Sequence, residues 1–366
     1  MKTQTKYSSL DLHAERTVLG VMNEGGKMCD IRRFPTTRKA LEDYVGALGF
    51  DGVKLTMEMG PMTRWAARIC RPLVEELIVC NPRHNKLVSR SSDKCDEKDV
   101  EALCELLRLN ALHPVWVGED AGRELYRSLV WDLLGWRDEA RHYKRLIKSK
   151  YRTFGVGECR GQQIYSQRGR VAYLDGLDDP MARRMLGRLY DQYDLARENW
   201  KTTMKEVKTH SRIYPEVAIF QEIPGIADVG ANVFSAIVED PWRFKTNPRL
   251  WKFCRLSITS RSSDGKPLGY ERIDKAGHGE LKNLSYTAWR TACSANAADN
   301  AVKEFYRLSL DRCKGLVRHA RLNTQRKILA TMLSLWKSGE HFDPEKFFPR
   351  HEPGQHKEAV RPGSRR

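Results

Sequence analysis

Over roughly its first hundred residues the chain changes its hydrophobic period in a set order, and that order limits the folds open to it. Tyr7–Leu12 and Arg16–Met22 read as strands, and Asn23-Glu24-Gly25-Gly26 is a turn into a third, Lys27–Arg33. The pattern then becomes helical at about 37–48, with Thr36 or Thr37 as the N-cap. A strand at Val53–Met57, a helix after Pro61, a strand at Leu77–Cys80 and a helix from about Asp96 to Leu109 complete the run. An antiparallel meander followed by helix–strand–helix–strand–helix predicts an α/β domain over residues 1–118.

This is the element order of the ribonuclease H fold, in which the first and fourth strands are neighbours. In the first strand Leu10 and Leu12 point one way and Asp11 the other. Glu58 emerges at the end of the strand whose core face is Val53, Leu55 and Met57. Asp96 and Asp99 are three apart at a helix start and share a face. The expected topology therefore brings four acids, Asp11, Glu58, Asp96 and Asp99, to one place. Two carboxylates about 4 Å apart repel by about 4 kcal/mol at an effective dielectric near 20, so such a cluster calls for cations. Magnesium takes hard oxygen ligands and keeps positions open for phosphate oxygens. The competing reading is a solvated helix start at Asp96 and Asp99, favoured by the helix dipole.

From 119 to 214 the chain turns helical and charged. Arg137, Arg141, Lys144, Arg145, Lys148, Lys150 and Arg152 are opposed only by Asp138 and Glu139. Leu186, Leu189, Tyr193, Ala196, Trp200, Thr203 and Val207 recur at steps of 3 and 4, which suggests a coiled-coil seam joining two copies or, alternatively, one long helix packed on its own domain. A second α-rich domain is expected over 215–345, and a disordered basic tail over 346–366. The predicted fold class is thus α/β plus α, with a helical coiled-coil middle.

Charge narrows the partners. With 64 Lys and Arg against 47 Asp and Glu, the net charge of +17 points to a phosphate backbone, bound in a strongly salt-dependent way. Nine cysteines, an odd count with no Cys-x-x-Cys pair, argue against a zinc ribbon or a disulfide framework and for a reducing cytoplasm. No run of about 18 apolar residues is present, so no membrane partner is expected.

The ordered blocks resemble one family, the insertion-sequence-110 type of DEDD transposases, also described as bridge-RNA-guided recombinases. Asp11-Leu12-His13 resembles the family's opening Asp-x-His/Ser block, and Arg32-Arg33-Phe34-Pro35-Thr36-Thr37 its third-strand exit. Glu58-Met59-Gly60 is similar to Glu-x-x-Gly, one residue shorter, and Asn81-Pro82-Arg83 to the Asn-Pro block. Lys94-Cys95-Asp96-Glu97-Lys98-Asp99 is similar to Lys-Thr-Asp-x-x-Asp. Farther on, Ile223-Pro224-Gly225-Ile226 with Val229 and Ala231 looks like a helix-hairpin-helix, whose backbone amides bind phosphate at helix N-termini. Ser262-Ser263-Asp264-Gly265 and Arg272-Ile273-Asp274-Lys275-Ala276-Gly277 resemble the Ser-Gly and Lys-x-Gly blocks.

The resemblance implies a RuvC-like magnesium site made by Asp11, Glu58, Asp96 and Asp99, and a serine that becomes linked to DNA through a phosphodiester. It also implies a noncoding guide RNA, donor and target DNA, a dimer or tetramer, and a bacterial-type, nucleoid-associated cytoplasmic protein. Ser263 is the expected nucleophile from its spacing to Lys275, with Ser260 and Ser262 as alternatives. Cys95 in place of Thr, Ala227 in place of Gly, Asp264 after the serine and His278 after Gly277 depart from the family pattern. The expected nucleic-acid contacts are Arg137, Arg141, Lys144, Arg145, Lys148, Lys150, Arg152, Gly225 and Lys275. Two other functions fit the same residues: a RuvC-like junction nuclease that uses water, which makes Ser263 dispensable, and a non-catalytic nucleic-acid-binding protein, which makes the acids dispensable.

Overall fold

The computed structural model describes residues 4–84, 95–157, 161–260, 262–263, 266–269 and 271–348, with the backbone alone at 262–263 and 266–267. The expected basic tail lies outside these residues from position 349 onward. The chain divides into two compact units, Met1–Asp120 and Ala121–Arg366.

The first unit is built on one mixed sheet. Its strands are β1 (Lys6–Leu12), β2 (Arg16–Met22), β3 (Met28–Pro35), β4 (Val53–Glu58) and β5 (Glu76–Cys80), in the order β3-β2-β1-β4-β5. The first three pair antiparallel, and β1–β4 and β4–β5 pair parallel. β1 is therefore central, with β4 beside it. Among the described residues three helices flank the sheet: α1 (Arg38–Gly46), α2 (Thr63–Cys70) and α3 (Asp96–Arg108). Thr37 caps α1, its hydroxyl accepting from the Ala40 amide at 3.2 Å.

Side-chain alternation divides these helices between the two faces. Leu10, Val53, Leu55 and Met57 join Leu41 and Val45 of α1 and Ala66, Ala67 and Ile69 of α2 in one core, all buried. Residues one place out of phase face α3. The Ser9 hydroxyl donates to the Val100 carbonyl at 2.7 Å, and Cys104 lies 3.3 Å from the same hydroxyl. Asp11, two residues beyond Ser9, is thereby aimed at the N-terminal turn of α3.

In the second unit α4 (Ala121–Thr153) and α6 (Pro180–His210) run antiparallel, with α5 (Gln167–Asp175) between them in the chain. Tyr126, near the start of α4, stacks on His210 at the end of α6, whereas the Tyr151 and Tyr190 hydroxyls meet at 3.2 Å near the other end. At 33 residues α4 spans roughly 50 Å. The seam read on α6 is filled from within the chain: Leu186, Tyr193, Ala196, Thr203 and Val207 are buried, and α4 is the helix they meet. That stripe is the intramolecular core of a helical pair rather than a free surface for a second copy.

The rest of the unit packs on one end of this pair. It comprises α7 (Glu216–Gln221), α8 (Asp228–Val238), α9 (Asn247–Phe253), the two-residue strands β6 (Ile258–Thr259), β7 (Ser262–Ser263), β8 (Lys266–Pro267) and β9 (Arg272–Ile273), and α10 (Gly279–Ala292), α11 (Ala301–Arg312) and α12 (Val317–Ser338). Tyr126, Val130, Leu133, Leu134, Met204 and Val207 share a core with Phe220, Phe234, Leu250, Leu281, Ile328 and Met332. Ion pairs tie α4 to the same elements: Arg123 with Glu216 at 2.8 Å, and Arg127 with Glu239.

Candidate active site

In the first unit the acids gather where β1 ends. A carboxylate oxygen each from Asp11 and Asp96, with a ring nitrogen of His13, lie within 4.8 Å of one another. His13 Nε2 is 2.9 Å from Asp11 Oδ2 and 3.7 Å from Asp96 Oδ1. Asp96 opens α3 and Asp99 follows in its first turn, where the helix dipole favours negative charge. Burial pushes the Asp11 carboxyl above its usual pKa; His13 opposes that shift, and the nearby charges of Asp96 and Asp99 add to it. Asp11 thus feels the charges of two of the other three expected acids.

Glu58 stands slightly apart. β1 pairs with β4 through Leu10 opposite Met57, so Glu58 occupies the rung beside Asp11, on the Asp11 side of the sheet. It is half-buried at the strand's end, and its carbonyl accepts from the Thr63 hydroxyl at 2.7 Å. Among the described residues the group within 4.8 Å consists of Asp11, His13 and Asp96, without Glu58 or Asp99. His13 was not among the residues chosen from sequence as site members. The available signal was its spacing: in a strand, residues two apart share a face, so His13 follows Asp11 to the same side.

In the second unit the serine segment is a pair of short ribbons. Ile258–Thr259 pairs with Arg272–Ile273, and Ser262–Ser263 pairs with Lys266–Pro267. Ser260 is exposed, as is Lys275 just beyond β9. The side chains of Ser262 and Ser263, and all of Asp264, lie outside the described residues.

The expected nucleic-acid residues divide into groups. Arg137, Arg141 and Gly225 line one cavity of about 490 Å³, with Asn283, Thr287 and Arg290 of α10. Arg137, Arg141 and Lys144 line a second, of about 220 Å³, with Arg197 and Trp200 of α6. Arg137 is held within the fold, 2.9 Å from Glu280 and 2.9 Å from Asp138. Arg141, Arg145 and Arg152 are exposed. Lys144, Lys148 and Lys150 lie over the rings of Tyr165 and Phe154, their stems half-buried. Arg197, Trp200 and Arg290 were not singled out from sequence as contacts; α6 reads there as a packing seam, and only the neighbouring helix shows which of its residues reach the cavity.

Gly225 has a conformation and a neighbour that exclude other residues. Its φ is +90°, and a Cβ would run into the Ala288 carbonyl oxygen, 2.9 Å from the carbonyl carbon and 3.2 Å from Cα. The turn between α7 and α8 therefore lies flat on α10, with Ile223 and Ile226 buried on either side.

Residues 217–307 match a family model described as Transposase IS116/IS110/IS902 family. The matched stretch contains both the Gly225 turn and the serine segment, and it supports a transposase that acts on DNA. No curated protein matches the chain. Among the described residues no helix is long and apolar enough to cross a membrane.

Proposed function

We propose that this chain is an RNA-guided DNA transposase of an insertion sequence, which cuts and rejoins strands through a phosphodiester between serine and DNA. In this reading the first unit is a ribonuclease-H-like, RuvC-like domain, and α7, its turn and α8 form a helix-hairpin-helix. Supporting it most is the meeting of Asp11 and Asp96 at the end of the central strand, with Asp99 in the same first turn of α3, in a chain whose residues 217–307 match a transposase model.

The donor set suits a hard divalent cation. Asp11, Asp96 and Asp99 offer carboxylate oxygens, Glu58 sits on the adjoining rung, and a cation would offset both the burial that raises Asp11 and the smaller repulsion from Asp96 and Asp99. Asp11, Glu58, Asp96 and Asp99 would hold magnesium, which when bound activates an attacking oxygen and steadies a leaving one. Ser263 supplies the nucleophile. Its Oγ–P bond forms as the bridging P–O bond to the leaving deoxyribose oxygen breaks, the hydroxyl proton is given up, and the leaving oxygen gains one. Attack by another DNA hydroxyl on the phosphoserine restores the serine and joins the strands. One phosphodiester replaces another at each step, so no external energy source is required.

The exposed arginines of α4, with Lys144, Lys148, Lys150, Gly225 and Lys275, would hold the backbones of guide RNA and of donor and target DNA. The working form in this reading is a homo-oligomer, a dimer or a tetramer. A recombination assay with the element's flanking DNA and its transcript tests the proposal. Asp11→Asn and Ser263→Ala should each abolish product while leaving nucleic-acid affinity within a few-fold. Product from Ser263→Ala would refute the serine mechanism, and product from Asp11→Asn the metal site.

A further inference from the structure

The serine segment leaves the helical core after α9 and returns beside the same helix, and hydrogen bonds hold the two passages together at that root. Arg255 takes a left-handed backbone, φ +56°, which turns the chain out of α9 into the buried Leu256. The returning chain is stitched to the departing one: the Asp274 amide donates to the Ser257 carbonyl at 2.9 Å, and the His278 amide to the Phe253 carbonyl at 2.7 Å. The Arg255 guanidinium donates to the Gly277 carbonyl at 2.6 Å. Gly277, φ +104°, is where the return strand presses on the end of α9; a Cβ there would meet the Phe253 carbonyl oxygen and lie 2.7 Å from that of Lys252.

Arg326 ties this root to α12. Arg326, in the middle of α12, donates from Nε at 2.8 Å and from Nη2 at 2.6 Å to a single acceptor, the Leu256 carbonyl. Its guanidinium lies 4.9 Å from the centre of the Trp251 ring. Burial lowers its pKa, and among the described residues no carboxylate is paired with it. A half-buried arginine that spends two donors on one backbone oxygen, with no acid to balance it, is costly to keep for packing alone.

We propose that Arg326 is a positioning residue for the serine segment, fixing through the Leu256 carbonyl the direction in which the β6–β9 ribbon leaves the core. The inference rests on Ser263 acting as the nucleophile. Its leverage comes from length. Extended chain from Leu256 to Ser263 covers at most roughly 23 Å, over which a tilt of about 3° at the root moves the far end by about 1 Å. A displacement of that size is enough to cost about a hundred-fold in rate. Lysine keeps the charge but places one donor where arginine places two, and glutamine removes the charge.

The test uses full-length Arg326→Lys and Arg326→Gln with two readouts: the rate at which protein becomes covalently attached to DNA, and hydrogen exchange at the amides of Thr259, Arg272 and Asp274. The expected result for Arg326→Gln is adduct formation slowed about ten- to a hundred-fold, nucleic-acid affinity within about two-fold, and faster exchange confined to the root. Arg326→Lys should fall between glutamine and wild type. Wild-type adduct rates in Arg326→Gln would overturn the proposal, as would unchanged protection at Asp274. If Arg326→Gln exchanges throughout the unit, Arg326→Lys decides by the same two criteria. If the wild-type protein itself forms no adduct, the serine reading has failed, and the exchange at Asp274 still decides whether Arg326 orients the ribbon.

Discussion

Replacing Gly225 by alanine separates two reasons for a glycine in this turn. A glycine required only because DNA approaches the backbone there would tolerate a methyl group in the free protein. The geometry says otherwise. A φ of +90° costs an L-residue about 1–2 kcal/mol. The added Cβ would also overlap the Ala288 carbonyl of α10, and forcing a group into a packed site costs about 1–3 kcal/mol more. Relief would require the turn to lift from α10, exposing Ile223 and Ile226, both buried. The total is about 2–5 kcal/mol. For a unit of this size, 1 kcal/mol corresponds to about 2–4 °C, so a fall of roughly 4–20 °C in the melting temperature of the second unit is expected. Differential scanning calorimetry of the full chain without nucleic acid reads this directly. A melting temperature within about 1 °C of wild type, with nucleic-acid binding lost, would refute the packing argument and leave the backbone approach as the reason.

Other consequences can be measured in the same preparations. Glu216 is 3% exposed, pairs with Arg123 and accepts from the Ser235 hydroxyl at 2.6 Å; Glu216→Ala should cost about 3–5 kcal/mol in urea denaturation, because Arg123 and the Ser235 hydroxyl lose their shared buried acceptor. A loss under about 1 kcal/mol would mean that the pair is solvated. Burial between Phe253 and Trp131, with Arg127, Arg243 and Arg255 nearby, pushes His278 down to about 4. Since the unfolded chain takes up that proton first, near pH 6.5, stability is fully present above that pH and is lost as pH falls toward 4. Between pH 7 and 5 this amounts to about 2 kcal/mol, and His278→Phe should flatten that part of the profile; an unchanged slope would refute it. Magnesium should raise the melting temperature of the wild-type first unit and leave that of Asp11→Asn unmoved; an equal rise in both would place the ion elsewhere.

Local signals carried the first unit well. The period-two runs, the Thr37 cap and the acids at strand and helix ends all depend on residues close in sequence, and the strands and helices fall where those signals lie. Legibility fell with sequence separation. The stripe from Leu186 to Val207 shows that one face of α6 is covered, but not whether the cover is α4 or another copy, since both need the same residues. Arg137 and Arg141 are alike in sequence, and only Glu280, far along the chain, turns Arg137 inward. The two bonds from Arg326 to the Leu256 carbonyl cross 70 residues, and a backbone acceptor leaves no mark in the side-chain pattern. His13 was within reach of local reasoning, because a strand residue two places from Asp11 shares its face.

The most direct measurement of the central claim mixes the protein and the element's transcript with donor and target duplexes in magnesium, then looks for protein bound covalently to DNA on a denaturing gel. The account predicts an adduct in the wild type, its loss in Ser263→Ala, and a phosphorylated Ser263 in the digested adduct. Magnesium-dependent nicks with no adduct would contradict it, and would make the chain a nuclease that uses water.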